Sequence, residues 1–423
     1  MSSIRLPSLT GRNTEQSVWV EFVEMAVKFK AVNLGQGFPD SPMPALMSKH
    51  LSDVAAHPER TDWHQYTRGY GHVRLVNIIS KLYSKLLDVD VNPQTDILIT
   101  VGAYLGLYYS FMGWLNPGDE VIIIEPAYDS YVSQIKMAGG VPVPVVLRLD
   151  PKESNTSAGY KLNLEELKHK ITLKTKMIVI NNPNNPTGKL YTREELEGIA
   201  TIALQHDLLV LSDEVYEWHV YPGKPMIRFA SLPGMYDRTI TVGSAGKCFS
   251  ATGWKIGWAI GPKWILEPLK KVHENCVFAH STPTQEAVAR AFEEEFELIE
   301  AGRDEESYLL SGLVKDLLPK RDILVKYLEN AGFKPIVPDA GYFVMADFGH
   351  LDGPFKQEDE TGSSLDYRFV RWLCKDKKLA SIPPTAFYSP ENRAGNDSLV
   401  RLCFFKKDET LDAAIEILKQ FQK

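Results

Sequence analysis

Between residues 97 and 260 the chain carries seven short apolar runs, at 97–101, 120–124, 141–147, 177–180, 208–211, 239–242 and 258–260. Several of the gaps hold helix-like stretches, at 104–115, 129–138 and 192–205, the last opened by a capping box of Thr192 and Glu195. Short runs alternating with helical segments predict a mainly parallel seven-stranded sheet with helices on both faces, an α/β architecture. In a parallel sheet the C-terminal strand ends share one edge, where ligands bind.

The flanks have a different texture. Residues 16–30 read as a helix with Trp19, Phe22, Val23, Ala26 and Val27 on one face, followed by a Pro/Gly-rich loop at 33–40. Beyond about 305 come a long charged helical pattern (305–331), short runs at 334–338 and 342–346, a helix at 366–376, a run at 399–405 and a final helix at 408–422. This predicts a smaller α+β domain. The expected divisions are an N-terminal helix and loop (1–45), a large domain (46–305) and a small domain (306–423). The acidic, glycine-containing stretch 352–364 reads as a surface loop.

At 423 residues the chain exceeds what one core usually serves, which agrees with that division. Its net charge of −7 and lack of a basic stripe argue against nucleic acid. No run of 18 apolar residues is present, so no membrane span is expected. Cys248, Cys276, Cys374 and Cys403 are far apart, which fits reduced thiols and argues against a zinc site or disulfide framework. Arg5 and Arg12 stand among fourteen residues without an acid, a faint transit-peptide pattern; the cytosol is expected, with the mitochondrion left open.

Polar and glycine-bearing residues gather at the ends of the predicted strands: Gly102-Ala103-Tyr104, Glu125–Tyr128, Asn181–Gly188, Asp213–Tyr216 and Ser244–Lys247. Each has an ordinary reading alone. Asp213 suits a helix N-cap, the Asn/Pro-rich segment a turn, and a lysine in a small-residue loop a solvated charge. Together, on one edge, they predict a site. Lys247 and Lys255 lie eight residues apart among small residues. A lysine in a partly dry site can lose its proton and attack a carbonyl to form a Schiff base. Nearby hydroxyls, backbone N–H groups and a second lysine suit a phosphate. Schiff base beside phosphate suggests pyridoxal phosphate.

Asn-Pro-Thr-Gly at 185–188, Asp-Glu-Val-Tyr at 213–216, and Ser-x-x-Lys followed by Gly-Trp-Lys-Ile-Gly-Trp over 244–258 resemble, in that order, the fold-type I pyridoxal-phosphate aminotransferases. The resemblance extends to Asn-Leu-Gly-Gln-Gly-Phe-Pro-Asp at 33–40, Gln-Tyr-Thr-Arg-Gly at 65–69, Gly-Asp-Glu-Val-Ile-Ile-Ile-Glu-Pro at 118–126 and Arg401 within Val-Arg-Leu-Cys-Phe. Together these look like the kynurenine aminotransferase branch, also called glutamine transaminase K or cysteine-S-conjugate β-lyase.

The resemblance implies a role for each matching residue. Lys247 would hold the cofactor as a Schiff base and then shuttle a proton. Asp213 would pair with the pyridine nitrogen, Tyr216 and Asn185 would reach the ring's phenolic oxygen, and Tyr128 would stack on the ring. The phosphate would take N–H groups of Ala103 and Tyr104, with Ser244 and Lys255. Arg401, with Asn185, would clamp the substrate carboxylate. Trp19 and Gly37 would be substrate-side contacts. Tyr66 and Phe278 would act across the interface of a homodimer, touching cofactor and substrate. Ala279 stands where some members have histidine, with His280 one later. The implied activity is ping-pong amino transfer from kynurenine, glutamine, methionine or aromatic amino acids to a 2-oxo acid, with C–S lyase side activity.

Two other readings fit parts of the sequence: an aspartate or general aromatic aminotransferase of the same fold, and a cofactor-binding regulator without turnover. Trp19 with the 33–40 loop favours the kynurenine branch; Lys247, Asp213, Tyr216 and Arg401 together argue against a dead relative. A P-loop reading of Gly246-Lys247 fails, because Cys248 replaces the required Ser/Thr and Thr241 stands where the first glycine should.

Overall fold

The structure, a computed structural model, describes residues 18–358 and 362–421. Arg5 and Arg12 lie outside the described residues. All seven predicted runs are strands of one sheet, in the order Ile97–Val101, Ile256–Ile260, Thr239–Ser244, Leu209–Asp213, Thr175–Asn181, Glu120–Glu125, Val141–Val146. Ile256–Ile260 runs opposite to the other six strands. Because strand side chains alternate, the sheet buries both faces. Val121, Ile123, Met177, Val179, Leu209 and Leu211 enter one apolar layer, while Ile122, Ile124, Ile178, Ile180 and Val210 enter the other. The register pairs Asn181 with Asp213, Asp213 with Val242 and Ser244 with Gly257, which brings the polar strand ends side by side.

The helices Gly102–Trp114, Ser130–Met137 and Arg193–Gln205 occupy the predicted gaps, and Thr192 and Glu195 form the reciprocal capping box. The N-terminal helix, described over Val18–Phe29, buries Val18, Phe22 and Ala26, while Val27 is 75% exposed. The buried stripe therefore follows i, i+4, i+8 from Val18, and Val27 falls outside it. The stretch 305–331 is not one helix. A π-helical turn at Tyr308–Gly312 precedes the helix Leu313–Asn330, because the Glu295 carboxylate draws in Ser307 Oγ and the Tyr308 and Leu309 N–H groups. Within 352–364, Phe355 is buried against Phe369 and Trp372, so that surface segment is pinned by an aromatic anchor.

A second, antiparallel sheet joins Lys334–Ile336, Phe343–Asp347 and Leu399–Cys403. Val32–Asn33 pairs in parallel with Leu379–Ala380, and the Cys403 N–H donates to Leu34 O at 2.7 Å. These bonds hold the 33–40 loop beside Arg401. None of the described helices is long and apolar enough to cross a membrane, and among the described residues no cluster of His, Cys, Asp and Glu could hold a metal.

Candidate active site

A cavity of ≈ 350 Å³ opens at the C-terminal edge of the large sheet. Lys247, Ala103, Tyr104, Tyr128, Asn185, Asp213, Tyr216, Ser244, Lys255, Trp19, Gly37 and Arg401 all line it. Tyr66 and Phe278 do not. They are 87% and 63% exposed and pack edge to face against each other, with ring centroids 5.8 Å apart. His280 does not line the cavity, and its Nε2 lies 2.8 Å from the carbonyl oxygen of Lys255, which does.

Lys247 follows strand Thr239–Ser244 in the one-turn helix Ala245–Cys248. Its Nζ donates to Tyr342 Oη at 2.5 Å and to Gly37 O at 3.2 Å. Burial, helped by the Arg401 and Lys255 charges, lowers its pKa to about 8. About a tenth of the amine is then neutral at pH 7, far more than at the ordinary value. In the cofactor-free protein, the rate at which an acylating reagent labels Lys247 is therefore expected to rise with a midpoint near 8. Peptide mapping across a pH series checks this; a midpoint near 10 would contradict it.

Asp213 ends its strand, but no helix follows for it to cap. Its Oδ2 accepts from Tyr131 Oη–H at 2.6 Å and its Oδ1 from the Val215 N–H at 3.3 Å. Burial raises this carboxyl to about 6, an environment that a protonated ring nitrogen in the cavity would relieve. Asn181 braces the same edge: its Nδ2 donates to Asp213 O, and its Oδ1 accepts the Asn185 N–H at 2.6 Å.

Beside this lies the helix start Gly102-Ala103-Tyr104. The helix Gly102–Trp114 has no side-chain cap, so its first N–H groups are open to an anion at the cavity wall shared with Ser244 and Lys255. Gly257 permits the approach, since a Cβ there would lie 2.4 Å from Ala103 N.

Arg401 is fully buried. Nη1 donates to Asn185 Oδ1 at 2.8 Å and Nη2 to Gly35 O at 2.9 Å, while Nε has no hydrogen-bond partner among the described residues. The guanidinium carbon lies 4.0 Å from the Phe343 ring centroid and 5.1 Å from those of Trp19 and Phe387. Burial lowers its pKa to about 10. A desolvated guanidinium with an orphaned donor at a cavity wall is suited to a carboxylate.

Tyr342, Tyr131, Phe343 and Asp129 carry no role legible in the sequence, and Asn181 stands out there only as the first residue of the strand-end segment 181–188. Tyr342 is the most intimate, since its hydroxyl accepts from Lys247 and donates to Gly37 O at 2.8 Å. Tyr131, three residues after Tyr128, had the one local signal available.

The buried carboxylate, the amine with a lowered pKa and the uncapped helix start fit the ring nitrogen, aldehyde and phosphate of pyridoxal phosphate. Fold and site together define a pyridoxal-phosphate-dependent transferase. The sequence model of the family Aminotransferase class I and II matches residues 30–418. Kynurenine–oxoglutarate transaminase 3 of Bos taurus is 45% identical over 411 residues, spanning 97% of this chain and 89% of that protein. Kynurenine–oxoglutarate transaminase 1 of Homo sapiens is 42% identical over 96% of this chain and 95% of that protein. Among solved structures, Bna3p of Saccharomyces cerevisiae superposes with a TM-score of 0.91 at 31% identity, covering 100% of this chain and 99% of that one. The chain belongs to the class I and II aminotransferases, and it is a pyridoxal-phosphate-dependent enzyme.

Proposed function

We propose that this aminotransferase takes the amino group of kynurenine, glutamine and aromatic or sulfur amino acids and delivers it, in ping-pong half-reactions, to a 2-oxo acid. The observation that carries the reading is Arg401: a buried guanidinium whose Nε–H finds no partner among the described residues, walled by Trp19, Phe343 and Phe387. That arrangement suits an α-carboxylate attached to an apolar or aromatic side chain.

Pyridoxal phosphate supplies an aldehyde for the amino group and a ring that draws electrons from Cα. In this reading, Lys247 Nζ would anchor the cofactor and would take the Cα proton of the donor. Asp213 would keep a proton on the ring nitrogen, with Tyr131 orienting its carboxylate. Tyr216, Asn185 and Tyr128 would hold the ring, and the Ala103 and Tyr104 N–H groups, Ser244 and Lys255 would hold the phosphate, with Gly37 and Trp19 on the donor side. When a donor carries a good leaving group on Cβ, proton removal by Lys247 lets that group depart with its electron pair, giving β-lyase side activity.

The exposed Tyr66–Phe278 pair supports a homodimer in which these rings complete the neighbouring site. The two sheets support the division 1–45, 46–305 and 306–423, since the seven-stranded sheet falls within the second part and the three-stranded sheet within the third. Widely spaced cysteines support the cytosol, with the mitochondrion as the alternative.

A panel of donors against several 2-oxo acids tests the substrate reading. Kynurenine, glutamine and phenylalanine are expected to serve. Strong preference for aspartate without use of kynurenine or glutamine would overturn it.

A further inference from the structure

Asp129 follows Tyr128 and stands at the N-cap of helix Ser130–Met137, yet its side chain makes no cap hydrogen bond there. Both carboxylate oxygens instead accept from a single donor, Trp19 Nε1–H, at 3.1 Å each. The two residues are 110 positions apart, so this bond ties the N-terminal helix to the strand-end segment that carries Tyr128. A symmetric fork on one N–H fixes the plane of the indole as well as its position. The carboxylate is half-buried, so water competes little for the bond; burial raises its pKa, while the Trp19 N–H and the Arg401 charge favour its ionised form.

The clamped indole faces the substrate side. Its ring lies 5.1 Å from the Arg401 guanidinium carbon and 6.3 Å from the Phe387 ring. Asp129 is also close enough to Arg401 for their charges to attract. One carboxylate thus serves both the aromatic wall and the cation behind it.

We propose that Asp129 is a positioning residue that sets donor specificity: by clamping the Trp19 indole against Arg401 it keeps an aromatic wall preformed beside the donor carboxylate, favouring flat aromatic donors over small aliphatic ones. The inference rests on the reading of Trp19 as a substrate-side contact. A wall held in place before binding costs no ordering when the donor arrives, so its loss falls on KM more than on kcat.

The test is a double-mutant cycle on the holoenzyme, with phenylalanine and alanine as donors. Asp129→Ala is expected to lower kcat/KM for phenylalanine about tenfold, mostly through KM, with a smaller effect on alanine. Asp129→Asn, which keeps the shape and one acceptor, is expected to lose about threefold and guards against a folding defect in the alanine variant. Trp19→Phe keeps a ring but lacks the N–H. In that background Asp129→Ala should cost little more. Equal losses for both donors, or an undiminished loss in the Trp19→Phe background, would overturn the role of Asp129. An unchanged phenylalanine-to-alanine ratio in Trp19→Phe would instead strike the reading of Trp19 itself, and the inference with it.

Discussion

Lys247→Ala is expected to lower turnover by roughly 10⁴-fold or more, since one amine serves as covalent anchor and as acid–base group. Lys255, the other lysine of the segment, cannot replace it. Lys255 sits in a left-handed conformation with φ +57°, its Nζ 3.3 Å from the point where a Cβ on Gly102 would stand, at the helix start. The loss should not come from unfolding. Burial lowers the Lys247 pKa from its ordinary 10.5 to about 8, so a charged Lys247 costs stability below about pH 8, and the cost fades only as pH rises toward 10.5. At pH 7 the cofactor-free alanine variant should therefore melt no lower than the cofactor-free wild type. Steady-state turnover and thermal melting check the two halves, and wild-type turnover in the variant would refute the assignment.

The second large effect concerns Arg401. Arg401→Ala is expected to lower kcat/KM for amino-acid donors by roughly 10²–10³-fold, the range for truncating one partner of a buried charged contact. Two costs combine: the donor carboxylate enters an aromatic-walled cavity without a counter-charge, and Asn185 Oδ1 and Gly35 O lose their donors. Arg401→Lys should recover little, because an ammonium cannot present two parallel N–H groups. The visible absorbance of bound cofactor should persist in both variants, since Lys247 and Asp213 remain. Kinetics with unchanged KM in Arg401→Ala would remove the carboxylate clamp from the account.

The sheet was legible because most of its strands carry a short apolar run buried on both faces; the edge strand Val141–Val146, with two prolines and an exposed Val141, is the exception. Several helices were not. Thr282–Glu300 buries Gln285, Glu286 and Glu295 on its inner face, and these polar residues break the apolar period. Glu286 is tolerated there because His72, Arg74 and Arg290 converge on it. Gly102–Trp114, by contrast, was legible over 104–115, and only its start was missed, because Gly102 at φ +67° reads as loop.

At the site, local motifs revealed the residues carried on strand ends. Tyr342, Phe343 and Asp129 stayed hidden because their roles depend on contacts between distant segments: Tyr342 reaches Lys247 across 95 residues and Asp129 reaches Trp19 across 110. No local pattern encodes such a contact.

Borohydride reduction of the holoenzyme followed by peptide mapping tests the central claim most directly. Cofactor mass is predicted on the peptide carrying Lys247, with Lys255 unmodified and the visible absorbance lost on reduction. Cofactor mass on Lys255, or none on either lysine, would contradict the account.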